Sequence, residues 1–276
     1  MSTHLATPTT GKVTFGGVLR SESIRFFSLN STRVLILVAV VLNMGIAVLG
    51  VWGVGSFASE APPMPGMPDM TSPEFTAELL GSGLAFSQLI LGVLGVLLMS
   101  GEFTTGSAVS TFLASPQRLR VLGAKAVLIA ILSAIVQLIS SVLTYLVCLP
   151  LANNYNMKLD FFGSHFQNVL WYGALAVVMA ALIGLALGAI LRNSAGGITS
   201  LVALFFVLPI VTGLLTTLAD WVQNVVQFLP DQLGMSLALP QSYASDLELW
   251  QQLAGVAGWT LIPLILGAWL LKARDI

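Results

Sequence analysis

Six stretches of the chain run for more than twenty residues without a single Asp, Glu, Lys or Arg: 34–59, 79–101, 126–157, 161–191, 193–219 and 249–271. A helix needs roughly 20 apolar residues to cross about 30 Å of hydrocarbon, so each stretch holds one span. The pattern predicts spans near 34–56, 80–100, 125–149, 169–191, 196–218 and 250–271. The predicted fold is an all-α integral membrane protein, with a single six-span domain over 34–276 behind a tail and interfacial helix at 1–33.

Composition agrees with the pattern. Of 276 residues 56% are hydrophobic and only 8% charged, where soluble domains carry about 25% charged. The net charge of −1 hides a strong asymmetry. With the N-terminus in the cytoplasm, ten of the eleven basic residues fall on the inner side and only Lys158 falls outside. The inner acids are then Glu22, Glu102 and Asp275, against nine outside. The positive-inside rule therefore predicts that both termini are cytoplasmic, in a multi-pass protein of the cell membrane. Trp52, Trp171, Tyr172, Trp221 and Trp250 fall near the outer interface and Trp269 near the inner one.

The first 33 residues lack an early apolar core and a small-residue cleavage site, so the first span is expected to direct insertion. Lys12, Arg20, Arg25 and Arg33 lie there among Phe15, Val18, Leu19, Ile24, Phe26, Phe27 and Leu29. Their apolar positions scatter on a helical wheel, yet a basic, aromatic segment suits a helix lying in the cytoplasmic interface. The lone Cys148 lies inside a span and forms no internal disulfide. The first outer loop, SEAPPMPGMPDMTSPEF, is too proline-rich for a continuous helix. Met64, Met67 and Met70 share a face there in a three-residue-per-turn polyproline helix. Thioethers suit Cu(I), but no Cys or His of the loop supports them, and a solvated loop without metal is the expectation. The outer stretch 219–251 is long; its apolar WVQNVVQFLP is too short to cross and suits a re-entrant or interfacial helix.

Polar residues inside the spans are few. Ser133, Gln137, Ser140, Ser141 and Thr144 fall within about 100° of one another on a helical wheel. Such side chains bond neighbouring helices at roughly 0.6–2 kcal/mol each, so packing is expected of Ser133, Gln137 and Thr144. Ala176, Ala180, Gly184 and Gly188 repeat at four-residue spacing in the fourth span and predict close helix approach. No GxxxxGK[ST], HExxH or Gly-x-Ser-x-Gly occurs, and His4 and His165 stand alone. No catalytic residue, nucleotide site or metal centre is expected in this chain. Nor does any span carry a charge at mid-depth, where ion-driven carriers keep acidic or basic relays.

The inner loop GEFTTGSAVSTFLASPQRLR, 101–120, follows a different logic. Ala108, Val109, Phe112 and Leu113 fall on one side of a helix over 106–114, and Gly106, Ser107, Ser110, Thr111 and Ala114 on the other. Thr104 or Thr105 supplies a cap and Pro116 a stop. The pattern predicts a short cytoplasmic amphipathic helix, flanked by Glu102 and by Arg118, Arg120 and Lys125. An ordinary loop obeying the positive-inside rule is the plainer alternative.

In this loop and at four other places the chain resembles the permease subunits of type-2 ABC exporters, particularly actinobacterial ones. VLRSESIRFFSLNSTRVLI resembles the family's approach to its first span, and GEFTTGSAVSTFLASPQRLRVLGAK its acid–Gly-Thr/Ser–Leu–Ser-Pro-x-Arg–Lys loop. GLALGAILRNSAGGITSLVALFFVLPI resembles its fourth-to-fifth-span junction, FLPDQLG its late outer motif and LLKARDI its basic–Arg-Asp ending. The resemblance implies a half-transporter that pairs with a second permease copy and two soluble P-loop ATPase subunits. ATP and Mg would be bound by those partners. It implies that 106–114 is a coupling helix, shaped by Glu102, Gly106, Ser107, Thr111, Phe112, Pro116 and Arg118. Gly106-Ser107 stands where the family has Gly-Thr/Ser. It further implies outer re-entrant helices within 219–251, and a path lined by the first, second and fifth spans. Asn43 and Gln88 are then the candidate pathway residues.

The expected function is that of a permease subunit exporting a hydrophobic or amphipathic compound, such as a drug, lipid or peptide antibiotic. A non-transporting membrane anchor or assembly subunit would use the same six spans. An ion-coupled secondary carrier is disfavoured by the uncharged span centres.

Overall fold

The computed structural model describes residues 15–60, 69–104, 118–216 and 220–273. Among these the chain is helical throughout its regular structure. Helices suit hydrocarbon because each satisfies its backbone N–H and C=O groups internally, where no water is present to do so.

Ten helices follow in order among the described residues: α1 (Phe15–Ser28), α2 (Asn30–Glu60), α3 (Pro73–Gly81), α4 (Leu84–Thr104), α5 (Arg118–Asn154), α6 (Ser164–Leu191), α7 (Ser194–Leu215), α8 (Asp220–Val226), α9 (Pro230–Ala238) and α10 (Leu249–Ala273). Six of the segments are long and apolar enough to cross a membrane: α2, the α3–α4 pair, α5, α6, α7 and α10. Each expected span finds its helix, and several helices overrun it. The 37 residues of α5 make about 55 Å at 1.5 Å per residue, well beyond the hydrocarbon thickness. Composition marks where lipid ends; caps and tertiary contacts decide where a helix does.

Three local features have identifiable causes. The α3–α4 segment breaks at Ser82–Gly83. A Cβ on Gly83 would stand 2.4 Å from the Asn43 carbonyl oxygen, so α2 can approach only a glycine there. In α7 the hydrogen bonding widens to a π-turn over Ala203–Val207, with Leu208 N–H donating to the Ala203 carbonyl. Pro209 follows at once; it has no N–H to donate, and the widened turn relieves its clash with the preceding turn. Between α6 and α7, Arg192 turns the chain in the left-handed region at φ 52°, its N–H donating to the Gly188 carbonyl. Asn193 then caps α7 by accepting from the Gly196 N–H at 3.1 Å.

The core is organised around α6. In its most apolar window 67% of residues are buried, against 11% in α7 and 11% in α10. The stripe Ala176, Ala180, Gly184 and Gly188 is wholly buried, and α4 supplies the most extensive contact with α6. A Cβ on Gly184 would lie 2.0 Å from the Gly92 carbonyl oxygen, and one on Gly95 2.1 Å from that of Ala181. The two backbones touch, as small residues at four-residue spacing permit. The opposite extreme is an apolar outer surface, with Val211 and Leu214 on α7 and Ile262 and Ile265 on α10 exposed.

Candidate functional site

The most concentrated chemistry lies where α4 ends, α5 begins and α1 crosses them. Val18, Glu22 and Phe26 recur every four residues on α1 and are its buried face. The carboxylate of Glu22 therefore points into the bundle between two apolar anchors. Lys125, about two turns into α5, is 1% exposed and donates to Glu22 Oε2 at 2.5 Å. The same ammonium stands 2.9 Å from Oε1 of Glu102, which is 2% exposed at the end of α4. Arg25 Nη1 donates to that oxygen at 2.7 Å from a rim position, 43% exposed.

Two acids and two bases thus join three helices around a neutral sum. Burying an ion is strongly unfavourable unless it is paired and hydrogen-bonded, and here each buried charge meets an opposite one. The arrangement works as a strut. It fixes α1 to the two helix ends that flank 105–117. Beside it is a cavity of about 180 Å³ whose lining includes Arg25, Glu102, Lys125, Leu35, Leu94 and Leu98. Glu102 Oε2 is buried and has no hydrogen-bond partner among the described residues.

Of the residues assigned to coupling, Glu102 belongs to this strut and Arg118 is the first residue of α5. Gly106, Ser107, Thr111, Phe112 and Pro116, with the helix expected over 106–114, lie outside the described residues. Met64 and Met67 do so as well, while Met70 sits in a turn before α3. No group of three or more His, Cys, Asp or Glu suited to a metal occurs among the described residues.

The polar stripe of α5 faces α2. Asn43, 1% exposed, donates through Nδ2 to Ser140 Oγ at 2.9 Å and to Thr144 Oγ1 at 3.4 Å. Gln137 Nε2 donates to Ser141 Oγ at 3.2 Å, and Ser133 Oγ to the Ala130 carbonyl at 3.1 Å. Asn43, singled out for a pathway, is thus bonded to the very stripe assigned to packing. Gln88 is buried on α4, its Nε2 2.8 Å from where a Cβ on Gly234 of α9 would sit. Neither polar atom of Gln88 has a hydrogen-bond partner among the described residues.

At the other end, the 219–251 stretch holds α8 and α9. The expected short helix is present at α8, but the buried one is α9, eight of whose nine residues are buried. Glu78 of α3 accepts from the Gln241 N–H and the Ser242 hydroxyl, clamping the segment after α9. Asp231 is buried in the first turn of α9, and burial raises its carboxyl from 3.8 to about 6. Tyr243 beside it is raised by its own burial and then by the charges of Asp231 and Glu78.

Glu22, Arg25 and Lys125 were legible in the sequence only as charges that set topology. One signal was present: Glu22 and Glu102 are acids on the strongly basic side, where the bias runs against them. No family model and no curated protein sequence matches the chain.

Proposed function

We propose that this chain is the permease subunit of an ATP-driven exporter, moving a hydrophobic or amphipathic compound with ATP hydrolysed by a separate P-loop ATPase. The observation that carries the reading is the strut of buried Glu22, Glu102 and Lys125 with Arg25 at its rim. An ATP-driven membrane domain without its own nucleotide site receives its work through a soluble partner. A neutral, largely buried ion network that binds α1 to both helices flanking 105–117 suits a region receiving that force. A push on the segment would move three helices together, because separating them exposes unpaired buried charge.

Under this reading both termini are cytoplasmic, which the bias of basic residues toward this end supports. The ATPase then docks on 105–117, with Thr111 and Phe112 at the contact. A second permease copy fits the weakly covered α7, whose own chain buries so little of it. The short helices α8 and α9 are the outer re-entrant segment. The cargo is greasy or amphipathic because the spans offer no central charge to match an ionic one.

The test is co-purification followed by crosslinking. Cys148→Ser removes the sole cysteine, and Thr111→Cys places one thiol on the expected contact. The chain should bring down a stoichiometric P-loop ATPase and crosslink to cysteines on that partner's membrane-facing surface. Purification without any ATPase in two detergents would refute the exporter reading. ATPase activity indifferent to every amphipathic compound tried, with the complex intact, would favour a non-transporting assembly subunit.

A further inference from the structure

The strut consumes the acids at its end of the molecule. Glu22 and Glu102 are the acids that the described residues hold there, and both are buried against Lys125. The surface around them keeps basic residues that no acid answers. Arg20 and Arg33 are exposed, and neither forms an ion pair among the described residues. Arg33 donates through Nε to the Phe27 carbonyl at 3.0 Å, and its terminal nitrogens make no hydrogen bond among the described residues.

The side chains between the two arginines say what they meet. Val18, Glu22 and Phe26 are the buried face of α1. Arg20, Ile24 and Phe27 recur at four- and three-residue spacing on the opposite face, all of them exposed. Leu29 is exposed where α1 gives way to α2, and Val34, Leu37 and Val38 continue the apolar surface along α2. That helix is long and apolar enough to cross a membrane, so the surface runs out of the bilayer and onto α1. An apolar face bordered by arginines suits the boundary between acyl chains and head groups. There the stems lie on hydrocarbon and the guanidiniums reach phosphate. Charge selects among head groups. A guanidinium pairs with phosphate through two parallel hydrogen bonds, but a zwitterionic lipid brings its own cation to a surface with no acid to receive it. An anionic lipid brings none.

We infer that the outward face of α1 is a docking surface for anionic phospholipid. Arg20 and Arg33 each take a head-group phosphate, and Ile24, Phe27 and Leu29 rest among the acyl chains. The lipid supplies from outside the negative charge that the strut has taken inside. It seats α1 on the bilayer while Glu22 holds the opposite face to α5. The surface requires only that the helices sit in a bilayer, so it stands apart from the proposed ATP-driven role.

A probe on α1 reads which lipid stands beside it. In a Cys148→Ser background, Ile24→Cys carries a small fluorophore on the only thiol. The full chain is reconstituted in equal amounts of phosphatidylglycerol and phosphatidylcholine, with a quenching spin label on the acyl chain of one lipid or the other. A basic residue at an anionic surface contributes about fivefold, so phosphatidylglycerol should be enriched about tenfold beside the probe. Arg20→Gln combined with Arg33→Gln should bring the two lipids to equal quenching. Lys158→Gln removes an exposed charge from the far end of the bundle and should leave the preference intact. Equal quenching with both arginines present overturns the proposal, and that comparison decides even where an arginine variant fails to fold. A preference that survives both substitutions in folded protein belongs to other basic residues and also overturns it. Quenching by neither lipid puts this face of α1 outside the bilayer, against a protein partner, and overturns it as well.

Discussion

Lys125 is the residue on which the α1 end of the bundle turns. It is buried between Glu22 and Glu102, so Lys125→Met leaves two carboxylates in apolar surroundings with one cation fewer. Breaking a buried pair in this way costs about 3–5 kcal/mol, which should appear as a marked fall in the thermal midpoint in detergent. Adding Glu22→Gln to Lys125→Met should recover part of the loss, because it removes one of the stranded charges; additive losses would show that the two side chains do not interact. Glycines make a second residue-scale case. Gly184 meets the Gly92 carbonyl at 2.0 Å from a Cβ, whereas Gly45 has nothing within 4 Å. Gly184→Ala should destabilise the protein by forcing α4 and α6 apart. Gly45→Ala should be neutral or gain up to about 1 kcal/mol from helix propensity. Equal thermal midpoints for the two variants would contradict the close crossing.

Among the elements, α9 is the least expected. It is only nine residues long, yet it is buried almost throughout and carries Asp231 in its first turn. Burial lifts that carboxyl from 3.8 to about 6; the folded value lies above the unfolded one, so the fold binds the proton more tightly. The resulting stability is fully present below about pH 4 and is lost as pH rises through about 6. The protein should therefore melt higher at pH 5 than at pH 7.5, with Asp231→Asn flattening that difference. Tyr243 and Glu78 flank the site, and Tyr243 stays protonated across this range. A variant that keeps the full pH dependence would move its origin to another group.

At the scale of the whole molecule, the weight of the bundle falls on α6, with α4, α5, α9 and α10 packed round it. The faces left over, on α2, α7 and α10, are apolar and turn outward. Orientation is open to direct measurement. In a Cys148→Ser background, Lys158→Cys should react with a membrane-impermeant maleimide added to intact cells, and Ser28→Cys should react only after permeabilisation. Both positions are exposed. The reverse labelling would invert the topology and move 105–117 to the outer side, beyond reach of a cytoplasmic ATPase.

Six spans could be read from the chain because hydrocarbon thickness and the need to satisfy the backbone act on local sequence alone. The same holds for the small-residue stripe of α6, whose spacing states its purpose whatever it packs against. The strut could not be read. Glu22 and Lys125 are 103 positions apart, and each resembles an ordinary charge at a membrane boundary until α1 folds across. A wheel of α1 shows no continuous apolar stripe because its buried face is Val18, Glu22 and Phe26. The polar member belongs inside only when Lys125 is there to meet it. The burial of α9 was hidden for a related reason, since a nine-residue helix carries too little periodicity to announce its neighbours. Local sequence determined which segments leave water. Pairing of distant charges and surfaces, which depends on geometry and not on composition, decided what they meet when they do.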